Sequence, residues 1–350
     1  MSTNIYRLDL YLFSIVTSFL HPHEIKAMGC AAKFTHKSCR NFMTYSYNQY
    51  GGDELYLAIQ SAKWTVKECD CALQDIVNKN LKLVDISFGW KFNQSIDILS
   101  KCVHLEQITF SHYFNQSIEA LASCKQLKNI TFGMYFNQPI DTLVHCTQLK
   151  KVIFVWAFNQ PVEALVNCTQ LEHITFGGMF NQSITTLSNC ARLDTLLFDI
   201  FSNFNQRIDA LSNCTQLKRI IFGVQFNQPI EALAHCTQLQ YITLGHDFNQ
   251  SIDALANCIH LKQIIFDHDF NQPIGAFSKC TQFTHIMFGH NFNQSVDALA
   301  NCTQLKQITF GNDFNQSISS LENCTQLQQI IVGRNFNQLK VVPAMRKVVR

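Results

Sequence analysis

Phe92-Asn93-Gln94-Ser95-Ile96 is the stretch that decides the fold, because the chain goes on repeating it. Phe-Asn-Gln returns at Phe114, Phe136, Phe158, Phe180, Phe204, Phe226, Phe248, Phe270, Phe292, Phe314 and Phe336. Each step is 22 residues, except for the 24 between Phe180 and Phe204. A fixed period of this length marks a stack of identical structural units. The unit reads F-N-Q-[PS]-I-[DE]-A-L-x-x-C-T-Q-L-K-x-I-[TI]-F-G-x-x. It has room for one short strand, a turn and a return segment. The strand falls on Gln107-Ile108-Thr109-Phe110 and its equivalents, which are β-branched and aromatic and usually followed by Gly. Period-two facing turns Ile and Phe inward, and Gln107 and Thr109 outward. In the return segment, Asp97 to Leu105, the apolar residues Leu99, Cys102 and Leu105 come every third position, which suits a 3₁₀ turn against a core. One such layer cannot bury its own apolar face, so each leans on its neighbours. The expected fold is an α/β repeat solenoid with one short parallel strand per 22-residue unit, opening near residue 72 and running to residue 338.

A surface loop has no need of the same Asn twelve times. Stacked units place these amides in a ladder that can bond backbone groups otherwise left unpaired. Eleven of the fifteen Cys also hold one unit position, from Cys102 to Cys324. A row of identical thiols among Leu and Ile reads as small inward core residues, ahead of disulfides or metal. Asn-x-Ser/Thr sequons fall on structural positions, including Asn93, Asn115, Asn167 and Asn301. Glycans there would spoil the stack, so a reducing, cytoplasmic compartment is expected. The apolar fraction of 47% against 15% charged residues describes a buried chain, not a disordered one. A net charge of +2 gives no strong drive toward nucleic acid.

The ends differ from the array. Leu8, Leu12, Ile15, Val16, Phe19 and Leu20 recur at three- and four-residue spacing, one face of an amphipathic helix. Pro22 stops it, and Ile25 lies in the next helical stretch. The apolar run from Leu10 is interrupted by Ser14 and Thr17, lacks a cleavage motif and is too short for a membrane span. Residues 47–71 read as a linker and a cap on the first layer, and residues 339–350 as a terminal cap or tail. Cys69-Asp70-Cys71 lacks a second pair at zinc-ligand spacing. The insertion at Asp199-Ile200-Phe201-Ser202-Asn203 is expected to bulge from the turn.

Phe136-Asn137-Gln138-Pro139-Ile140 closely resembles the core of the FNIP repeat, a member of the leucine-rich repeats known mainly from social amoebae and giant viruses. Leu105 to Phe110 likewise resembles the L-x-x-L-x-L strand of leucine-rich repeats, and the C-x-x-L-x-x-I-x-F run resembles the cysteine-containing repeats of some bacterial surface proteins. Cys-Thr-Gln-Leu stands where many FNIP units carry a Pro-containing segment. Residues 1–46 resemble an F-box, an all-α module, through Leu8, Leu12, Ile15, Val16, Phe19-Leu20, Pro22, Ile25 and Ala32-Lys33-Phe34. They lack its initial Leu-Pro and its late Trp. The two resemblances together imply a substrate-recognition adaptor of a cullin-RING ubiquitin ligase, located in the host cytoplasm if the source is viral. The F-box would dock a Skp-type adaptor through Leu8, Leu12, Ile15, Phe19, Leu20, Pro22 and Ile25, and the repeats would hold a target protein. The alternative is a repeat-based protein-binding scaffold with no ubiquitin role.

No P-loop, dinucleotide-type Gly cluster or nucleophile elbow occurs, so an enzyme is not expected and no metal or cofactor is assigned. The outward strand positions vary while the inward ones hardly do. The target-contacting candidates among them are Lys151, Ile153, Arg219, Ile221 and Tyr241, since Arg, Tyr and apolar neighbours dominate interface energetics. His246, His268 and His290, followed by Asp247, Asp269 and Asn291, should stack in adjacent rows. They read as a solvated turn edge, with a partner patch or a metal site as alternatives.

Overall fold

The computed structural model describes residues 83–338, together with Lys63–Val66, Val77 and Val348–Val349. The chain divides into two units, Met1–Gln49 and Tyr50–Arg350, and every described residue belongs to the second. The F-box-like stretch, with Leu8, Leu12, Ile15, Phe19, Leu20, Pro22 and Ile25, lies outside the described residues.

Among the described residues, fourteen parallel strands form one sheet in which spatial order equals sequence order. The first is β1 (Lys63–Val66), so the stretch expected to cap the first layer supplies a strand. The last is β14 (Val348–Val349), beside Gln329–Ile331. Register follows the period, as in Gln107↔Asn129↔Lys151. From Gln107–Thr109 to Gln329–Ile331, each strand is preceded by a backbone step in which two successive N–H groups reach one carbonyl of the layer before. Glu106 and Gln107 both donate to the Val84 carbonyl, at 2.8 and 3.0 Å.

Return segments are 3₁₀ turns, such as Asp97–Lys101 and Asp141–His145. Their entry is set by the fourth unit residue. Where it is Ser, the hydroxyl accepts the N–H two residues on, as Ser95 does from Asp97 at 3.1 Å. Where it is Pro, as at Pro139, the ring fixes φ instead. Seven inward positions per layer make the core. In one layer these are Phe136, Ile140, Leu143, Cys146, Leu149, Val152 and Phe154, all buried. The two Phe columns stack both within and between layers: Phe132 and Phe136 lie 4.1 Å apart, and Phe136 and Phe158 6.1 Å. All eleven array cysteines are buried and free. Several thiols donate to carbonyls of the layer before, as Cys280 does to Leu255 at 3.4 Å. Burial pushes them up, to about 12 at Cys146 and about 11 at Cys190.

The Asn ladder forms, and Gln joins it. Asn137 Oδ1 accepts the Asn159 backbone N–H at 2.9 Å and Gln160 Nε2 at 3.2 Å. The same pair of bonds recurs along the array and continues across the 24-residue unit, where Asn205 N–H and Gln206 Nε2 both reach Asn181 Oδ1 at 3.0 Å. The insertion bulges only in part. Asp199 and Ser202 fold inward and are buried, while Phe201 projects. Asp199 Oδ1 accepts the Phe201 N–H at 2.8 Å and Ser202 Oγ the Phe204 N–H at 3.2 Å.

Glycine after the strand serves close approach. A methyl group built on Gly177 would lie 1.0 Å from the Val155 carbonyl oxygen of the layer before. Ser111, Val155, Asp199 and Asp267 occupy this column elsewhere, and each is followed one layer on by Gly.

Candidate binding surfaces

The strand face carries part of what the sequence suggests. Lys151, Arg219 and Tyr241 are half-buried on its first outward row. The Arg219 guanidinium lies over the Tyr241 ring at 4.9 Å, a cation–π contact between neighbouring strands. Lys151 is not beside them, since the row runs Lys151↔His173↔Thr195↔Arg219↔Tyr241. Ile153 and Ile221 are a correction. They are only 3% and 4% exposed and present almost nothing to a partner. The cause is the in-register ladder. Ile153 stands between Thr131 and Thr175, and Ile221 between Leu197 and Thr243, with strands about 4.8 Å apart. Neighbouring layers close over the second outward row at Ile153 and Ile221, which alternation along one strand does not reveal.

The loop edge is more open. It is formed by the two residues before each Phe-Asn-Gln, which follow the strand and its Gly. In the early layers it is aromatic. Trp90 stacks on His112 at 4.0 Å and Tyr113 on Tyr135 at 5.2 Å. Burial holds the His112 imidazole below the usual histidine range. Trp90, Tyr113, Tyr135, Met179 and Phe201 are each between 43% and 54% exposed, all on this edge within six successive layers. The sequence reading missed this ridge. The signal is there once the two residues before Phe-Asn-Gln are aligned unit by unit, as Trp-Lys, His-Tyr, Met-Tyr and Trp-Ala.

Further along the same edge the histidines stack as expected. His246 and His268 lie 4.5 Å apart and His268 and His290 4.9 Å, ring on ring. Their Nδ1 atoms face side-chain oxygens of Asp247 (2.8 Å), Asp269 (2.6 Å) and Asn291 (3.1 Å). Among the described residues, no helix is long and apolar enough to cross a membrane.

A parallel sheet of one-strand layers, 3₁₀ returns and an Asn ladder defines a leucine-rich-repeat solenoid. The family model for the BspA type leucine-rich repeat region matches in six copies, over residues 161–254, 188–275 and 253–341, together 161–341 and just over half of the chain. The chain belongs to the BspA-type leucine-rich repeat family. No curated protein matches it. Among solved structures it is similar to an internalin (inlF) from Listeria monocytogenes str. 4b F2365. The two are 17% identical over 85% of this chain and 95% of the internalin, with a TM-score of 0.59. It is similar also to CroV588, described as a circular leucine-rich-repeat protein, at 30% identity and a TM-score of 0.50; the match covers 75% of this chain but 45% of CroV588. A third is the plant peptide hormone receptor RGFR1 in complex with RGF2, 13% identical, covering 78% of this chain and 49% of the receptor, with a TM-score of 0.54.

Proposed function

We propose that the array is a protein-binding scaffold whose main contact surface is the aromatic stretch of the loop edge. The observation that carries this is the clustering of Trp90, Tyr113, Tyr135, Met179 and Phe201, all exposed within six successive layers of one edge. Tyr and Trp supply large, stiff contact area, and interfaces are enriched in them. The strand face adds the Arg219–Tyr241 pair. Leucine-rich-repeat proteins bind other proteins, as RGFR1 does RGF2. The test uses a photo-crosslinking amino acid at Met134, beside the ridge, to capture the partner from cytosol. Replacing Trp90, Tyr113 and Tyr135 together with Ser should abolish capture, while Val103→Ser and Val166→Ser should not. Capture that survives the triple replacement but is lost with Arg219→Ala would move the contact to the strand face.

A second reading rests on the F-box-like and FNIP-like residues. In it, residues 1–46 dock a Skp-type adaptor through Leu8, Leu12, Ile15, Phe19, Leu20, Pro22 and Ile25, and the array presents a target to a cullin-RING ubiquitin ligase. The compartment that suits both readings is the reducing cytoplasm. Eleven free buried thiols support it, as does the use of sequon Asn side chains inside the ladder. Replacing Phe19 and Leu20 with Asp should abolish adaptor binding and leave the array's circular dichroism unchanged. If the purified wild type fails to bind any Skp-type adaptor at micromolar concentration, only the scaffold reading stands.

A further inference from the structure

The His-Asp ladder occupies positions that the fold leaves free. Trp90, Met134, Trp156 and Val224 stand where His246, His268 and His290 stand, so layer packing does not ask for imidazole. The three histidines nevertheless follow one another in successive layers, the first two each with Asp behind it. The rings of His246 and His268 are parallel within 8°. Backbone bonds lock the strip: Asp269 N–H donates to the His246 carbonyl at 2.9 Å, and Asn291 N–H to the His268 carbonyl at 2.9 Å. Asp269 is fixed twice over, since its Oδ1 faces His268 Nδ1 at 2.6 Å and accepts Asn291 Nδ2 at 3.1 Å. The stretches 243–252, 265–274 and 287–296 contain no Lys or Arg. The negative charge of Asp247 and Asp269 therefore has no cationic Lys or Arg beside it along these three layers.

We propose that His246, His268 and Asp269 form a site for a divalent first-row transition-metal ion of the zinc, nickel or copper class. One ligand atom from each residue lies within 4.8 Å of the others. Imidazole with carboxylate suits these ions, whereas magnesium and calcium ask for oxygen alone. Zinc binds nitrogen and oxygen at about 2.0–2.2 Å, which sets tetrahedral ligand atoms roughly 3.3 Å apart, so the wider-spaced atoms must draw together while His268 Nδ1 and Asp269 Oδ1, 2.6 Å apart, open slightly. The side chains are half-exposed on the edge and have room for that. The ion sits on the Nδ1 side. It takes the place of the proton each Nδ1 shares with its carboxylate, and the ring proton moves to Nε2. Asp247, 2.8 Å from His246 Nδ1, places a further carboxylate beside the ion and adds negative charge to the site. His290 stacks on His268 from the far side and holds its plane.

The test titrates Zn2+ into the full chain, stripped beforehand with a chelator, by calorimetry under reducing conditions. The wild type should bind Zn2+ far more tightly than Mg2+. His246→Ala and His268→Ala should each weaken binding by about tenfold or more, and Asp247→Ala by about tenfold. His104→Ala, exposed on another surface, should leave it unchanged. Co2+ should give visible ligand-field bands without the near-ultraviolet charge-transfer band of thiolate ligation, which separates this site from the cysteines. Should His268→Ala lower the melting temperature, His268→Gln keeps the bulk and repeats the comparison. Wild-type affinity in both His246→Ala and His268→Gln, or Zn2+ binding no tighter than Mg2+, overturns the proposal.

Discussion

Asn159→Ala is expected to destabilise the array more than Gln160→Ala, and the ladder geometry sets the difference. Asn159 Oδ1 accepts the Asn181 backbone N–H at 2.9 Å and Gln182 Nε2 at 3.1 Å. Alanine removes both acceptor contacts and leaves the Asn181 N–H facing a methyl group. A fully buried orphan costs about 1–3 kcal/mol; this turn is half-buried, so about 1–2 kcal/mol is expected. Gln160 supplies only a donor, Nε2 to Asn137 Oδ1 at 3.2 Å, and that oxygen keeps the Asn159 N–H at 2.9 Å. Its removal should cost about 0.5 kcal/mol, the low end for a neutral hydrogen bond. Asn159→Asp retains the acceptor and should recover most of the alanine loss. A long array unfolds in parts, so hydrogen exchange at the Asn181 amide is the sharper assay. It should speed up about 5–30-fold in Asn159→Ala and little in Gln160→Ala. Equal melting shifts for the two variants, or an Asn181 amide exchanging at the wild-type rate in Asn159→Ala, would refute the ladder's role.

The eleven array thiols should label slowly in the native state and fully in denaturant, because each is buried and pushed up to about 11 or 12; rapid native labelling of most would overturn the burial. Since the folded thiols hold their protons above the unfolded value, stability should fall as pH rises from about 9 toward 11, a slope that chemical denaturation at stepped pH measures. Gly177→Ala should cost at least about 2 kcal/mol by forcing two layers apart, whereas Gly275→Ala, with open space around the new methyl, should add about 0.4–1 kcal/mol; paired melting curves decide. Burial holds the Asp199 carboxyl above the usual carboxylate range despite the Phe201 N–H, so the wild type loses stability as pH rises through that raised value. Asp199→Asn keeps the acceptor and should gain on the wild type as pH rises from the ordinary carboxylate range through that raised value; a constant gap would contradict the assignment.

What the sequence made legible is what repeats inward. Phe136, Ile140, Leu143, Cys146 and Leu149 sit where period and spacing put them, because each makes the same contacts in every layer. Readings that failed or fell short concern contacts between layers. Ile153 alternates as an outward residue but is covered from both sides by residues 22 positions away. Gly177 reads as a turn former, yet its reason is the Val155 carbonyl beside it. The repeat by itself gives Gln160 no role, yet its Nε2 donates to Asn137 Oδ1 in the preceding layer. At the insertion, the inward fold of Asp199 and Ser202 depends on local hydrogen bonds that composition does not announce.

The loop edge joins these observations into one argument about where function can reside. Inward positions are bound by the stack, since a change in one layer is felt by both neighbours. The second outward row of the strand face is filled by the layers themselves at Ile153, Leu197, Ile221 and Ile265. The two residues before Phe-Asn-Gln, buried Ser202 excepted, escape both constraints, and there and at Phe201 of the insertion the chain changes character along its length. It begins with Trp90, Tyr113 and Tyr135, reaches Met179 and Phe201, and then turns to His246-Asp247 and His268-Asp269. Val224-Gln225 alone separates the two sets. Each layer touches only its neighbours, so the aromatic and histidine stretches can be altered independently while the Asn ladder beside them keeps the backbone of the edge in place.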